Sequence, residues 1–408
     1  MTQDELILRR LAREYAVAAS DPKNTVSRTL HRAVNDLNMI RPVVLIDEIP
    51  FHELNFDGSL TLHCQDADFR QAEDYFRKKL FQWKYFPADM ILAPYYPVYK
   101  QMTCTGCGFG VEEEIRITDR RNPIVSHEYH DQIPDEAALE RFRLSVVTYE
   151  KDATLALYNK LGSVFGDLLP VRLVGQNCYI SIWDNVARFR GVTPLLMDLA
   201  VRPEFTHKIV SRMTDYFLSL TQQMEDLGLY EAEPLHMHCT SALNSTLPGQ
   251  FDGGKVRRSQ VWGRSMAQIF ASVSPAMHEE FDIDYMKKIM EPFGLVYYGC
   301  CEPLDRKIDI VEKLPHLRKI SITPWADVEV GAEAINTRYV LASKPNPAAV
   351  ALTLDEDALR KEIGRILSAC KRNGCSFDMV LKDISSAGNK VENLIRWEQI
   401  VMEMVNDF

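Results

Sequence analysis

The chain of 408 residues carries nine cysteines and ten histidines, and a few of them fall close enough together to act jointly. His236, His238 and Cys239 stand in HMHC, Cys300 and Cys301 are adjacent in GCCEP, and Cys104 and Cys107 bracket a CTGC turn. Thiolate, imidazole and carboxylate are the ligands zinc takes, and a catalytic ion keeps one coordination position open. His238, Cys239 and Cys301 are the metal-ligand candidates if two separate segments converge. The alternative is plain: a buried Cys300 packs as a small apolar group and the histidines make ordinary hydrogen bonds. CTGC has no second CxxC and no thioredoxin-like unit around it, so it reads as a glycine-rich turn with incidental thiols.

Other polar residues follow apolar runs, where a parallel strand ends. Glu302 comes just after the thiol pair, and Lys382 and Asp383 follow FDMVL. These three are candidates for proton transfer or for orienting water. Glu48 follows VVLID, Lys344 follows YVLAS, and Gln176 follows VRLVG. With Tyr298 and Trp262 they are the candidates for substrate binding. Tyr297, Tyr298, Trp262 and Trp183 together suit an aromatic or methylated ligand, although core packing accounts for such residues as readily.

Strands and helices must alternate to bring these tips together. Helical stretches are expected over 4–20 and 24–37, then an apolar run at 43–46, a helix over 66–85 and a strand within MILAPYYPVY. Residues 104–150 are irregular and charged, and read as an excursion with a small hairpin that covers one mouth of the core as a lid. A helix is expected over 140–161. Phe205, Ile209, Met213, Phe217, Leu220, Met224 and Leu227 recur at helical spacing until Gly228, which predicts one buried face. Further strands are expected near 234–239, 266–271, 295–298, 319–322, 339–342 and 377–381, with helices between most of them. The pattern predicts a single α/β domain over 1–408, a (β/α)8 barrel with an N-terminal helical extension over 1–40. Neither GxGxxG nor GxxxxGK[ST] follows a strand, against a nucleotide-binding fold.

Composition narrows the class. Lys+Arg number 47 against 57 Asp+Glu, a net charge of −10, and no basic block appears. That argues against nucleic acid as a partner. No apolar run is long enough for a membrane span and the first twenty residues lack an apolar core, so a cytoplasmic protein with reduced thiols is expected.

The C-terminal half resembles the uroporphyrinogen decarboxylase-like superfamily. The resemblance is carried by AQIFASVSPAMHEEFDIDYMKKIM, GLVYYGCCEPLDRKIDIVEKLPHLRKISI and VLKDISSAGNKVENLIRWEQIV, with LLMDLAVRPEFTHKIV in the middle region. It covers about 170–408 well and the first 170 residues weakly. It implies a (β/α)8 barrel with its site at the C-terminal rim. In character it is nearest to the zinc-dependent methyltransferases that work with corrinoid proteins, which hold zinc with a His-x-Cys and a later Cys. Here the Cys matches Cys301, Gly299 stands in the His position, and LKDISSAG lacks the second Cys. The resemblance implies methyl transfer between a small methylated substrate, an aryl methyl ether being one candidate, and a corrinoid carried by a partner protein. Zinc is the expected metal, and a homodimer is compatible. The alternative is a metal-independent decarboxylase or lyase acting on a small carboxylated substrate through Asp383, Lys382 or Glu48.

Overall fold

The computed structural model describes residues 1–117, 120, 125–250 and 253–408. Its centre is a six-stranded, wholly parallel sheet in the order Val43–Ile46, Ser376–Leu381, Val340–Ser343, Leu317–Ile322, Leu295–Tyr298, Trp262–Ser265. Nearly every residue of these strands is buried, as expected when both faces are covered and the strands read as continuous apolar runs. Helices separate consecutive strands and pack on one face. Val296, Tyr298, Ile320, Ile322, Leu341, Met379 and Leu381 share a core with them.

The helix expected near 205–227 spans Pro203–Asp226, with Pro203 in its first turn and Phe205, Ile209, Met213, Phe217 and Met224 buried. The helix expected over 140–161 starts later, at Lys151–Phe165, after a short strand at Val147–Tyr149. The strand expected near 266–271 lies earlier, at Trp262–Ser265, and Gln268–Ser272 is a 3-10 turn. No helix among the described residues is long and apolar enough to cross a membrane.

Two further strands, Tyr96–Tyr99 and Val171–Val174, pair in parallel with each other. The chain beyond the second meets the sheet edge through an Ile180 to Ser265 bridge. A closed eight-stranded ladder is not found among the described residues, so the expected barrel is met only as a mixed α/β fold around a parallel sheet. Where the next strand would lie beside Val43–Ile46, the Asp89 carboxylate takes over: it accepts from the Val44 N–H at 2.9 Å and from Arg41 at 2.7 and 2.8 Å.

The other face of the sheet wraps a short hairpin, His236–Met237 with Thr240–Ser241, in place of the plain strand expected there. Met237, Ala242, Trp262, Leu295, Tyr297 and Ala342 form its apolar bed. The N-terminal helix Pro22–Asn35 is joined to this layer, Asn35 Nδ2 donating to the Leu243 carbonyl at 2.7 Å and Ser376 Oγ to the Val34 carbonyl at 2.8 Å. The 104–150 excursion does contain a hairpin, Glu113–Arg116 with Ser126–Tyr129. Its firm contacts run to the helical layer: Asp131 pairs with Arg190, and the Val147 N–H donates to Gln223.

Candidate active site at the strand tips

The hairpin is anchored by charge. Lys319 and Asp378, both fully buried, pair at 3.0 Å, and the Asp378 carboxylate also accepts from Thr240 Oγ1 at 2.7 Å and Ser241 Oγ at 2.8 Å. Against the cost of burial, Lys319 holds Asp378 down to about 2, while burial lowers the Lys319 ammonium to about 8. Trp262 wedges beneath, its indole N–H donating to the Ala242 carbonyl at 2.9 Å. These contacts fix the turn that carries His238 and Cys239 to the C-terminal ends of the parallel strands.

There the sequence candidates divide. Glu48, His238 and Cys239 converge, each offering a ligand atom within 4.8 Å of the other two. His238 Nε2 lies 3.6 Å from Glu48 Oε1. Lys344 donates to the Cys239 carbonyl from below. One nitrogen, one oxygen and one sulfur donor at this spacing, with two of the three residues exposed, fit a zinc-type ion with an open position. Glu48 therefore joins the possible ligands rather than standing only as a substrate contact.

Cys301 is held differently. Lys382 places its ammonium 3.2 Å from Cys301 Sγ and 3.4 Å from Cys300 Sγ, and the two sulfurs are 3.8 Å apart. Cys301 also approaches Asp383 Oδ2 at 3.3 Å, and Lys382 pairs with the same oxygen at 2.7 Å. The hydrogen bond from Cys301, with help from His238, Arg264 and Lys382, lowers the Cys300 thiol against the cost of burial, and Cys301 is raised in return. Against burial, the neighbouring thiols and Asp383 keep Lys382 charged, well above the usual lysine range. Burial and the proximity of Asp383 push Glu48 up.

Four tip residues take left-handed backbone: Glu48 at φ +50°, Cys239 at +57°, Gly299 at +100° and Asp383 at +55°. Such conformations are costly for non-glycine residues and gather where function requires a particular side-chain aim. At Gly299 a Cβ would lie 2.6 Å from Leu304 Cδ1 and 3.0 Å from Ser321 Cβ, so a His at this position would sit on strained backbone and have to displace the Leu304 side chain.

The remaining candidates lie apart from the cluster. Tyr298 turns to the helix face, hydrogen-bonded to His278 Nε2 and Asp282 Oδ2, both at 2.6 Å, because side chains alternate along a strand and Tyr297 takes the inward place. Trp262 is the hairpin wedge and is 3% exposed. Trp183 is likewise core, donating to the Phe281 carbonyl at 3.1 Å. Gln176 donates to the Lys100 carbonyl at 2.8 Å, and its backbone bridges to Tyr230. Glu302 is fully buried and spends one oxygen on the Ala267 N–H and the other on the Cys300 N–H, both at 3.0 Å. Burial lifts it to about 7, and its place is to position the thiol turn.

Sequence reading missed Lys319 and Asp378 as the support of the hairpin and Tyr179 as part of the rim, where its ring meets that of His238 edge-on at 5.6 Å. A signal existed: charged residues at single inward positions of otherwise apolar strands, which burial tolerates only with partners. Beside the rim, a cleft of about 690 Å³ opens between the first strand tip and the Ala67–Tyr85 helix, lined by Asp47, Glu48, Tyr75, Lys79, Tyr96 and Tyr99. Glu48 faces both the cleft and the metal-ligand cluster.

No family model matches the chain, and no curated protein matches it. Among solved structures, a methyltransferase from Methanosarcina mazei is similar, with a TM-score of 0.51 and 12% identity, over 92% of this chain and 98% of that one. At that identity the likeness is one of fold, a mixed α/β architecture around a parallel sheet.

Proposed function

We propose that the protein is a methyltransferase component that moves a methyl group between a small methylated substrate and a corrinoid on a partner protein. The observation that carries this reading is the Glu48, His238 and Cys239 donor set at the strand tips, beside a thiol pair in contact with the Lys382 ammonium. The fold likeness to a methyltransferase supports it. In this reading the chain is a single cytoplasmic domain, its sheet the wall of a (β/α)8 barrel, with the 690 Å³ cleft as the approach for substrate.

Glu48, His238 and Cys239 would hold zinc, which when bound acts as a Lewis acid on a methyl-bearing heteroatom. The chain's own residues do the rest. Lys382 stabilises negative charge on the thiols, Asp383 orients Lys382, and Glu48 gives its other oxygen to the Asp383 N–H. The test is metal content together with methyl transfer from an aryl methyl ether panel to cob(I)alamin. About one equivalent of zinc, lost in His238→Ala and Cys239→Ser along with transfer, is expected. Less than about one tenth equivalent of any transition metal overturns the reading.

The second reading, a metal-independent lyase acting through Lys382 and Asp383, is favoured by the ammonium lying between the two sulfurs, where a metal ligand such as Cys301 would otherwise be free. Turnover that survives a strong chelator and is lost in Asp383→Asn would establish it.

A further inference from the structure

The face of the sheet that carries the hairpin is cationic. Arg264, Lys319, Lys344 and Lys382 point onto it from four strands or their tips, and each is 3% exposed or less. Two have carboxylate partners, Lys319 with Asp378 and Lys382 with Asp383. Among the described residues, Arg264 and Lys344 have none within ion-pair distance. Lys344 is met by the Cys239 carbonyl. Arg264 is 1% exposed, and its Nε and Nη2 have no hydrogen-bond partner, while Nη1 reaches only Met266 Sδ at 3.5 Å.

A guanidinium buried with no carboxylate partner, its anionic neighbour being the Cys300 sulfur, is expensive while two of its nitrogens go without an acceptor, and the cost falls once an oxyanion reaches them. Its surroundings are built for that. Arg264 stacks between the rings of Tyr179, 4.5 Å from its guanidinium carbon, and Tyr297, 5.4 Å away. The Tyr297 hydroxyl is itself buried without a partner, and Arg264 and Tyr297 are register partners on neighbouring strands. Cys300 stands three residues beyond Tyr297 on the same tip. Tyr179 is 46% exposed, its hydroxyl contacting Met266 Sδ and its ring meeting His238, so it covers the guanidinium on the rim side.

We propose that Arg264, with the Tyr297 hydroxyl and the nearby Lys344 ammonium, forms a carboxylate-binding subsite beneath Tyr179, so that the small substrate is an anionic, carboxylate-bearing compound. The fork of guanidinium donors matches a planar carboxylate better than a point charge would. Calling that anion the methyl donor rests on the methyl-transfer reading. The subsite itself does not.

The experiment is affinity alkylation of the Cys300–Cys301 pair in the full chain, read by peptide mass spectrometry. Iodoacetate and iodoacetamide deliver the same carbon to sulfur, with an S–C bond formed, the C–I bond broken and iodide leaving. Only iodoacetate carries a carboxylate. Saturable labelling by iodoacetate, preferred over iodoacetamide by about tenfold or more, is expected, with benzoate competing. Arg264→Gln should abolish the preference, and Tyr297→Phe, which keeps the ring packing, should reduce it several-fold. Faster labelling by iodoacetamide in the natural protein, or a preference untouched by Tyr297→Phe and Arg264→Gln, overturns the proposal. Protection by inorganic phosphate and not by benzoate overturns the carboxylate assignment. Because the labelling needs no methyl donor, loss of this preference with intact methyl transfer removes the subsite alone. A retained preference without any transfer removes the methyl-transfer reading alone.

Discussion

Asp383 donates its backbone N–H to Glu48 Oε2 at 2.9 Å, joining the tip of the last sheet strand to the tip of the first. The two residues are 335 positions apart in the chain, yet Val43–Ile46 and Ser376–Leu381 are neighbours in the sheet. Ile46 pairs with Leu381, so Glu48 and Asp383 lie two residues beyond the same rung. Through this contact the donor set that includes Glu48 and the thiol set that includes Asp383 share one framework. Glu48→Ala should therefore lower metal content and also change thiol alkylation, whereas Glu48→Gln, which keeps an acceptor for the Asp383 N–H, should affect mainly the metal. Equal effects of both variants on alkylation would contradict the shared framework.

Lys382 sets the reactivity of the thiol pair. Removing its ammonium takes away the cation in contact with both sulfurs and leaves Arg264 as the remaining one near Cys300. Lys382→Met is expected to raise the thiol pKa and so move the pH profile of alkylation to higher pH, read by labelling rates across a pH series. An unchanged profile would place the source of activation elsewhere.

The buried Lys319 and Asp378 pair supports the hairpin. Lys319→Met leaves a carboxylate uncompensated and should cost about 3–5 kcal/mol in urea unfolding. A Lys319→Met, Asp378→Leu double variant should recover much of that loss while still weakening metal binding, since Thr240 and Ser241 lose their acceptor. Full metal affinity in the double variant would show that the hairpin needs no such anchor.

His31 makes folding sensitive to acid. It is fully buried, Nε2 meets the Asp89 carbonyl at 2.9 Å, and burial holds the imidazole down to about 4 against the pull of Asp89. The unfolded chain therefore binds the proton more tightly, and stability falls as pH drops from about 6.5 towards 4. The slope from this group approaches about 1.4 kcal/mol per pH unit. His31→Gln should be less stable near neutral pH but show a flatter dependence over that window. Parallel urea midpoints for the two proteins would refute it.

Restoring the histidine of the resembling family at Gly299 should fail. With φ at +100° and 2.6 Å to Leu304 Cδ1, Gly299→His is expected to lose about 1–3 kcal/mol and to gain no metal. Increased zinc content in that variant, measured beside a thermal melt, would show that the tip can rearrange.

The sequence by itself determined the elements and the class. Apolar β-branched runs alternating with amphipathic helices are local patterns, and they placed the parallel sheet, the Pro203–Asp226 helix and the polar residues at strand ends. Cys301, Lys382 and Asp383 were expected at strand ends because each comes after such a run, whereas His238 and Cys239 lie in the turn of the hairpin that replaces the expected strand. Tertiary structure alone decided their partners. A one-residue parity sends Tyr298 to the helices and Tyr297 to the hairpin face, and nothing short of the register reveals which. Beside the first strand the Asp89 carboxylate replaces part of the ladder, an exchange of backbone for side-chain hydrogen bonds that no periodicity records. The union of Glu48 with His238, and of Lys382 with Cys300, depends on strands brought side by side across the sheet. Charge and packing over that distance are properties of the fold, not of any local run of residues.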